Sequence, residues 1–376
     1  MTIDRPFPGL WQPGDDPGQR EFTVLFDEEG LPLEGGRSLP HVSVAYETWG
    51  QLHVDKSNAV LVLHALTGDS HAAGPVGPGH VTPGWWDRLI GPGAPIDTDR
   101  YFVICPNVLG GCQGTTGPGS LAPDGEPYGS RFPVVTIRDQ VAVEAALADQ
   151  LGIKRWAGVV GGSMGGMRAL EWSVGYPERV SRAVVLAVGA ASTADEIALS
   201  ALQIRAIRAD RAFAGGDYYR TGDRPVEGLA VARGIGHMSY RTADELHRRF
   251  ARQAQQLEEP LQGGRYAVES YLDHHGERLA ARFDPNSYIV LSEAMNHHDI
   301  GRGRGGIAKA LAGVSAEVAV AGITSDRLYP IELQREIAQL LPRRPDLTVI
   351  ESGSGHDGFL LEVELVGRVI SSSLAT

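Results

Sequence analysis

A mostly parallel α/β domain is predicted by three observations: strand-length apolar runs, helical stretches that alternate with them, and glycine-rich turns at the strand ends. Residues 42–47, Val-Ser-Val-Ala-Tyr-Glu, alternate with period two and read as a half-buried strand. Residues 59–63, Ala-Val-Leu-Val-Leu, are apolar throughout, as a strand covered on both faces must be. Runs at 101–104, 156–160, 183–188, 318–321 and 347–350 have the same character, and 137–151 and 166–176 read as helices between them. Such alternation yields parallel strands joined by helices that cover both faces of the sheet.

The pattern breaks between residues 189 and 315. Strand runs vanish there, and stretches rich in Ala, Arg and Gln, such as 194–213 and 242–257, read as helices. Strand–helix alternation resumes near Val318, so the segment is expected to be a helical lid inserted between two parts of one core, 1–188 and 316–376. Two tracts dense in Gly and Pro, 68–98 and 107–133, carry Trp85-Trp86-Asp87 and Tyr128 and are expected to be ordered loops walling a site.

Composition narrows the function. The 376 residues exceed the roughly 250–300 at which a single core stops growing, which fits a core with an insertion. Apolar residues make up 42% and charged residues 21%, an ordinary globular balance. A net charge of -12 and the lack of a long basic run disfavour nucleic acid; Arg248-Arg249 and Arg343-Arg344 read as solvated helix faces. Two cysteines, Cys105 and Cys112, suit neither a disulfide framework nor a zinc site. His274-His275 and His297-His298-Asp299 lack ligand spacing, so no metal is expected. Residues 1–6 do not open like a signal peptide and no apolar run reaches about 18 residues, so a cytoplasmic protein without membrane contact is expected.

The chemistry centres on Gly161-Gly162-Ser163-Met164-Gly165, which follows the strand at 156–160 and opens into the helix near Gly166. This G-x-S-x-G in a strand–turn–helix setting is a nucleophile elbow of the α/β-hydrolase fold. Small flanking residues let the strained turn pass close to its neighbours, and the helix N-terminus offers positive charge to a developing oxyanion. A dinucleotide-binding turn is excluded by spacing. A serine hydroxyl needs a base and an orienting acid, which follow in the order Ser, acid, His. His356, in a glycine-rich loop after the last strand, fits the base, and Asp326, one strand earlier in Ile323-Thr324-Ser325-Asp326-Arg327, fits the acid. Asp326 also has the position of a helix N-cap, and Asp299 is the alternative acid. The oxyanion donors are expected from the amides of Met164, after the nucleophile, and Leu66, in the loop after 59–63; His64 on that loop reads as structural.

Several blocks, Ala45-Tyr46-Glu47-Thr48-Trp49-Gly50, His64-Ala65-Leu66-Thr67-Gly68-Asp69-Ser70-His71, Pro83-Gly84-Trp85-Trp86-Asp87, Gly114-Thr115-Thr116-Gly117-Pro118 and Gly162-Ser163-Met164-Gly165-Gly166-Met167, make the chain resemble homoserine O-acetyltransferases of methionine biosynthesis over nearly its whole length. The resemblance implies ping-pong acyl transfer from acetyl-CoA, as co-substrate rather than cofactor, to the hydroxyl of L-homoserine through an acylated Ser163. It also implies a homodimer formed through lid helices. By the same resemblance Arg233 would grip the substrate carboxylate, Asp357 its ammonium, and Tyr240 would lie beside them. A succinyl donor, a serine acceptor, or water as acceptor in an esterase or thioesterase remain open at this point. A non-catalytic binding protein of this fold would be expected to lack a triad member, and none is lacking here.

Overall fold

The computed structural model describes residues 9–27 and 29–375, and the N-terminal reading of residues 1–6 lies outside them. Eight strands build the central sheet: β1 (Glu21–Leu25), β2 (Val42–Trp49), β3 (Ala59–Leu63), β4 (Phe102–Pro106), β5 (Gly158–Gly162), β6 (Arg182–Leu186), β7 (Glu317–Ile323) and β8 (Thr348–Ile350). Their spatial order is β1-β2-β4-β3-β5-β6-β7-β8. β2 runs antiparallel to both β1 and β4, and every pair from β4 to β8 is parallel. All five residues of β3 and of β5 are buried, as central strands of a two-sided sheet require.

The helices are α1 (Ile137–Gln150), α2 (Met164–Gly175), α3 (Ala194–Ala209), α4 (Val226–Tyr240), α5 (Ala243–Phe250), α6 (Ala267–Ala280), α7 (Pro285–Asn296), α8 (Ile307–Ala312), α9 (Ile331–Leu340), α10 (Gly358–Leu361) and α11 (Val363–Ala375). Residues of α1 and α2 pack with Leu61, Leu63 and Val159 in one core layer, whereas Val366, Ile370 and Leu374 of α11 pack with Val60, Val62, Val160 and Val184 in the other. Each strand's alternating side chains thus feed two cores. α1 begins at a capping box: Thr136 accepts from the Asp139 amide, and Asp139 Oδ2 accepts from the Thr136 amide at 2.8 Å.

A buried polar bracket joins α1 and α2. Arg168, 0% exposed, donates to Glu144 Oε1 at 2.6 Å, and Trp172 Nε1 donates to Glu144 Oε2 at 2.7 Å. Burial pushes the Glu144 pKa up, opposed by the Arg168 charge and both hydrogen bonds. The second Arg168 donor reaches the His64 carbonyl at 2.5 Å, so the bracket also fixes the loop after β3.

Between β6 and β7 lie α3 to α8. α3 to α7 lie between two chain passages that meet where Ala191 and Asp299 form an antiparallel bridge. The Ser192 amide donates to His298 O at 2.9 Å, the Ile300 amide to Ala190 O at 3.1 Å, and Ser192 Oγ to Met295 O at 2.6 Å. The helix expected over 242–257 stops at Phe250, because Ala251 takes φ +44°, which a helix cannot continue through. The Gly- and Pro-rich tracts are ordered loops; Trp86 Nε1, for example, donates to Phe359 O. No helix among the described residues is long and apolar enough to cross a membrane.

Candidate active site

β5 delivers Ser163 to the turn that starts α2. Its backbone sits at φ 55°, ψ -127°, a strained conformation for a residue with a side chain. The turn closes only because its flanks are bare: a Cβ on Gly161 would collide with the Gly165 carbonyl, and one on Gly165 with the Leu63 carbonyl. The Ser163 amide donates to Leu186 O of β6 at 3.0 Å, locking the elbow onto the neighbouring strand.

Three distant segments converge here. His356 Nε2 lies 2.9 Å from Ser163 Oγ, and His356 Nδ1 lies 2.7 Å from Asp326 Oδ2. The exposures are 7% for Ser163, 3% for His356 and 6% for Asp326, so water barely reaches the array. Asp326 follows β7 and His356 follows β8, both at strand C-terminal ends, where open α/β sheets bind ligands. Asp326 is not the helix N-cap expected as its alternative role: α9 begins at Ile331 behind Pro330 without a side-chain cap, and Asp326 instead closes the turn before it while contacting His356. Its Oδ1 accepts from the Leu328 and Tyr329 amides at 2.8 and 2.9 Å, while Oδ2 faces the imidazole. Asp299 instead closes a turn, accepting from the Gly301 amide at 2.8 Å.

Electrostatics set the imidazole. Burial works to lower the His356 pKa, but the Asp326 carboxylate, with smaller contributions from Asp357 and Glu196, more than offsets it, and the net shift is upward. The ring is fenced by Tyr329, Phe359 and Tyr240 at 5.1, 5.3 and 5.9 Å between centroids.

The loop that carries Leu66 is held from two sides. Arg168 takes the His64 carbonyl, and Arg282, at the end of the α6 segment, donates to Thr67 O at 2.9 Å and Thr67 Oγ1 at 3.1 Å. Among the described residues, neither the Leu66 nor the Met164 amide donates to a protein acceptor. His64 accepts from the Val108 amide at 3.0 Å, and burial with the Arg168 charge lowers its pKa to about 3, which leaves a neutral structural imidazole.

α4 brings Arg233 and Tyr240 to the same place. The guanidinium stacks over the Tyr240 ring at 5.4 Å and, among the described residues, forms no ion pair. Asp357, next to His356, is paired instead with Arg241, whose Nε lies 3.2 Å from its Oδ2; burial raises the Asp357 pKa, opposed by Arg241, His356 and Arg233. Arg241 was not singled out by the sequence, where nothing separates it from other arginines. Glu196 was missed as well: in the structure it completes the Thr193 capping box and also lines a cavity beside Leu66 and Tyr329.

One group among the described residues has the composition of a metal site, Glu47 with His71 and His80. Glu47 already accepts from Ser70 Oγ at 2.8 Å and pairs with His71 Nδ1 at 2.9 Å. The imidazoles stack face to face at 3.8 Å and 9°, so one cation cannot lie in both ring planes. The cluster serves as a buried hydrogen-bonded strut.

Residues 58–363 match the family model for the α/β-hydrolase fold. A homoserine O-acetyltransferase from Thermobifida fusca (strain YX) is 59% identical over 375 residues, covering 100% of this chain and 98% of that protein. Among solved structures, a homoserine O-acetyltransferase from Bacillus anthracis superposes with a TM-score of 0.86 at 30% identity, covering 95% of this chain and 97% of that one. Esterase E22 superposes with a TM-score of 0.85 at 29% identity, covering 94% and 99%.

Proposed function

The chain belongs to the homoserine O-acetyltransferase family of the α/β-hydrolase fold, and from that premise we propose that it moves an acetyl group from acetyl-CoA to the side-chain hydroxyl of L-homoserine through an ester on Ser163. The observation that carries the reading is the relay from Ser163 Oγ to His356 to Asp326, at 2.9 and 2.7 Å, with water largely excluded.

In the first half-reaction His356 Nε2 takes the Ser163 proton as Oγ attacks the thioester carbon. Asp326 holds the imidazole so that Nε2 is the acceptor and stabilises the imidazolium that forms. The amides of Leu66 and Met164 receive the carbonyl oxygen as it becomes negative. Collapse breaks the C–S bond, and His356 returns the proton to the departing thiolate. In the second half-reaction homoserine enters, His356 takes its hydroxyl proton, and the alkoxide attacks the Ser163 ester. Collapse breaks the bond from Ser163 Oγ to the acyl carbon, His356 returns the proton to Oγ, and O-acetylhomoserine leaves. Arg233, with no carboxylate partner among the described residues, grips the substrate carboxylate, and Asp357 exchanges part of its contact with Arg241 for the substrate ammonium. Tyr240, between Arg233 and His356, keeps that end of the acceptor against the ring. O-acetylhomoserine so made would supply methionine biosynthesis.

The likeness to an esterase raises water as the rival acceptor. An ester this enclosed favours an acceptor bound by charge over bulk water. Ser163→Ala is expected to abolish covalent labelling by acetyl-CoA, and labelling that persists would refute the nucleophile. With wild-type protein, acetate release that ignores added homoserine would refute the transferase in favour of the hydrolase.

A further inference from the structure

The cavity beside the relay has one wall made by a single face of α3. Glu196, Leu199, Ser200 and Gln203 line it at helical spacing, opposite Leu66, Tyr240 and Tyr329, with Met295 and Asn296 closing the end. Its volume is about 20 Å³, room for one water-sized group. Glu196 is 5% exposed; Oε2 accepts from the Thr193 amide at 3.3 Å, and Oε1 makes no full hydrogen bond, with the Ser192 side chain beside the carboxylate. A buried carboxylate oxygen left without a full hydrogen bond beside a reaction centre costs stability that packing alone does not explain.

This inference rests on the acetyl-transfer reading. The cavity shares Leu66 with the expected oxyanion site and Tyr240 and Tyr329 with the surround of His356, which makes it the adjoining space for the substituent of an acyl group on Ser163. A methyl group fits the space. A succinyl group adds a methylene and a carboxylate, and that carboxylate would meet Glu196. We propose that Glu196 is a donor-selecting residue of this enzyme: the small cavity beside Leu66 admits an acetyl group, and the Glu196 carboxylate on its wall adds a charge barrier against dicarboxylic acyl groups beyond the barrier of size.

Burial pushes the Glu196 pKa up to about 7, opposed by the Thr193 hydrogen bonds and the His356 charge. His356, Tyr240 and Tyr329 are the titratable groups facing it. The carboxylate form therefore dominates at pH 8, where the test belongs.

The test measures kcat/KM at pH 8 for acetyl-CoA and succinyl-CoA, with homoserine as acceptor and products identified by mass. Glu196→Gln keeps the oxygen that accepts from Thr193 and removes the charge. Leu199→Ala widens the cavity to give the longer chain room without touching the charge and is the reference variant. Adding Glu196→Gln to Leu199→Ala is expected to raise the succinyl-to-acetyl ratio at least about tenfold over Leu199→Ala alone. A ratio in the double variant no higher than in Leu199→Ala alone overturns the charge filter. Wild-type protein that transfers no acetyl group overturns the reading beneath it instead.

Discussion

Replacing Asp326 by Asn isolates one hydrogen bond without altering shape. The backbone decides which way the new amide points. Oδ1 of Asp326 accepts from the Leu328 and Tyr329 amides at 2.8 and 2.9 Å, and only an oxygen can accept there, so the asparagine oxygen must stay with them. Its NH2 group then faces His356 Nδ1 across 2.7 Å, donor against donor. The imidazole escapes by moving its proton to Nε2, the atom 2.9 Å from Ser163 Oγ, and can no longer act as the base. The same swap in a serine protease triad lowers kcat about 10⁴-fold, or about 5.4 kcal/mol in the barrier. The assay is rapid-mix acylation of Ser163 by acetyl-CoA, with Tm measured in parallel to show that the fold persists. The pH profile supplies a second readout. Acylation needs neutral His356, whose pKa is raised, so the wild-type limb is expected above the ordinary imidazole value of about 6.5. Without the Asp326 charge the burial effect dominates, and any residual limb is expected at lower pH. Acylation by Asp326→Asn within tenfold of wild type would refute the orienting role.

Two further outcomes follow from the geometry. Arg233→Ala should lower kcat/KM for homoserine about 10- to 100-fold, the worth of a charged hydrogen bond at about 1.5–3 kcal/mol, while the burst of acyl-enzyme survives; steady-state kinetics with varied homoserine checks it, and an unchanged KM would count against the carboxylate grip. Arg168→Met leaves Glu144 buried without its cation and should cost about 3–5 kcal/mol in urea unfolding, and a loss below about 1 kcal/mol would show that the bracket between α1 and α2 is not an anchor.

Much of this was legible in the sequence because the chemistry leaves local marks. G-x-S-x-G announces a turn that few sequences can make, and the fixed order of nucleophile, acid and base then leads to Asp326 and His356. Strand limits were less legible. The run at 156–160 gives way to β5 at Gly158–Gly162, because Trp156 pairs outside the strand with Val180 while Gly161-Gly162, poor in strand propensity, are drawn in by the elbow. β1 went unseen because its burial is slight, with Glu21 and Phe22 exposed at the sheet edge. The partners of Asp357 and the cavity behind Glu196 were invisible for a different reason. Arg241 meets Asp357 only after α4 and β8 are both in place, so no window of sequence contains both halves of the contact.

The pinch where residues 190–192 meet 298–300 divides the molecule's labour. The stretch between these passages, Glu196, Arg233 and Tyr240 included, also docks on the sheet side through Arg282 with Thr67, Thr242 with Gly353 and Arg241 with Asp357, while Ser163, Asp326 and His356 stay rooted in the sheet. A homologous segment grafted at those six positions would therefore have to carry matching partners for Thr67, Gly353 and Asp357 before it could bring its own choice of donor and acceptor.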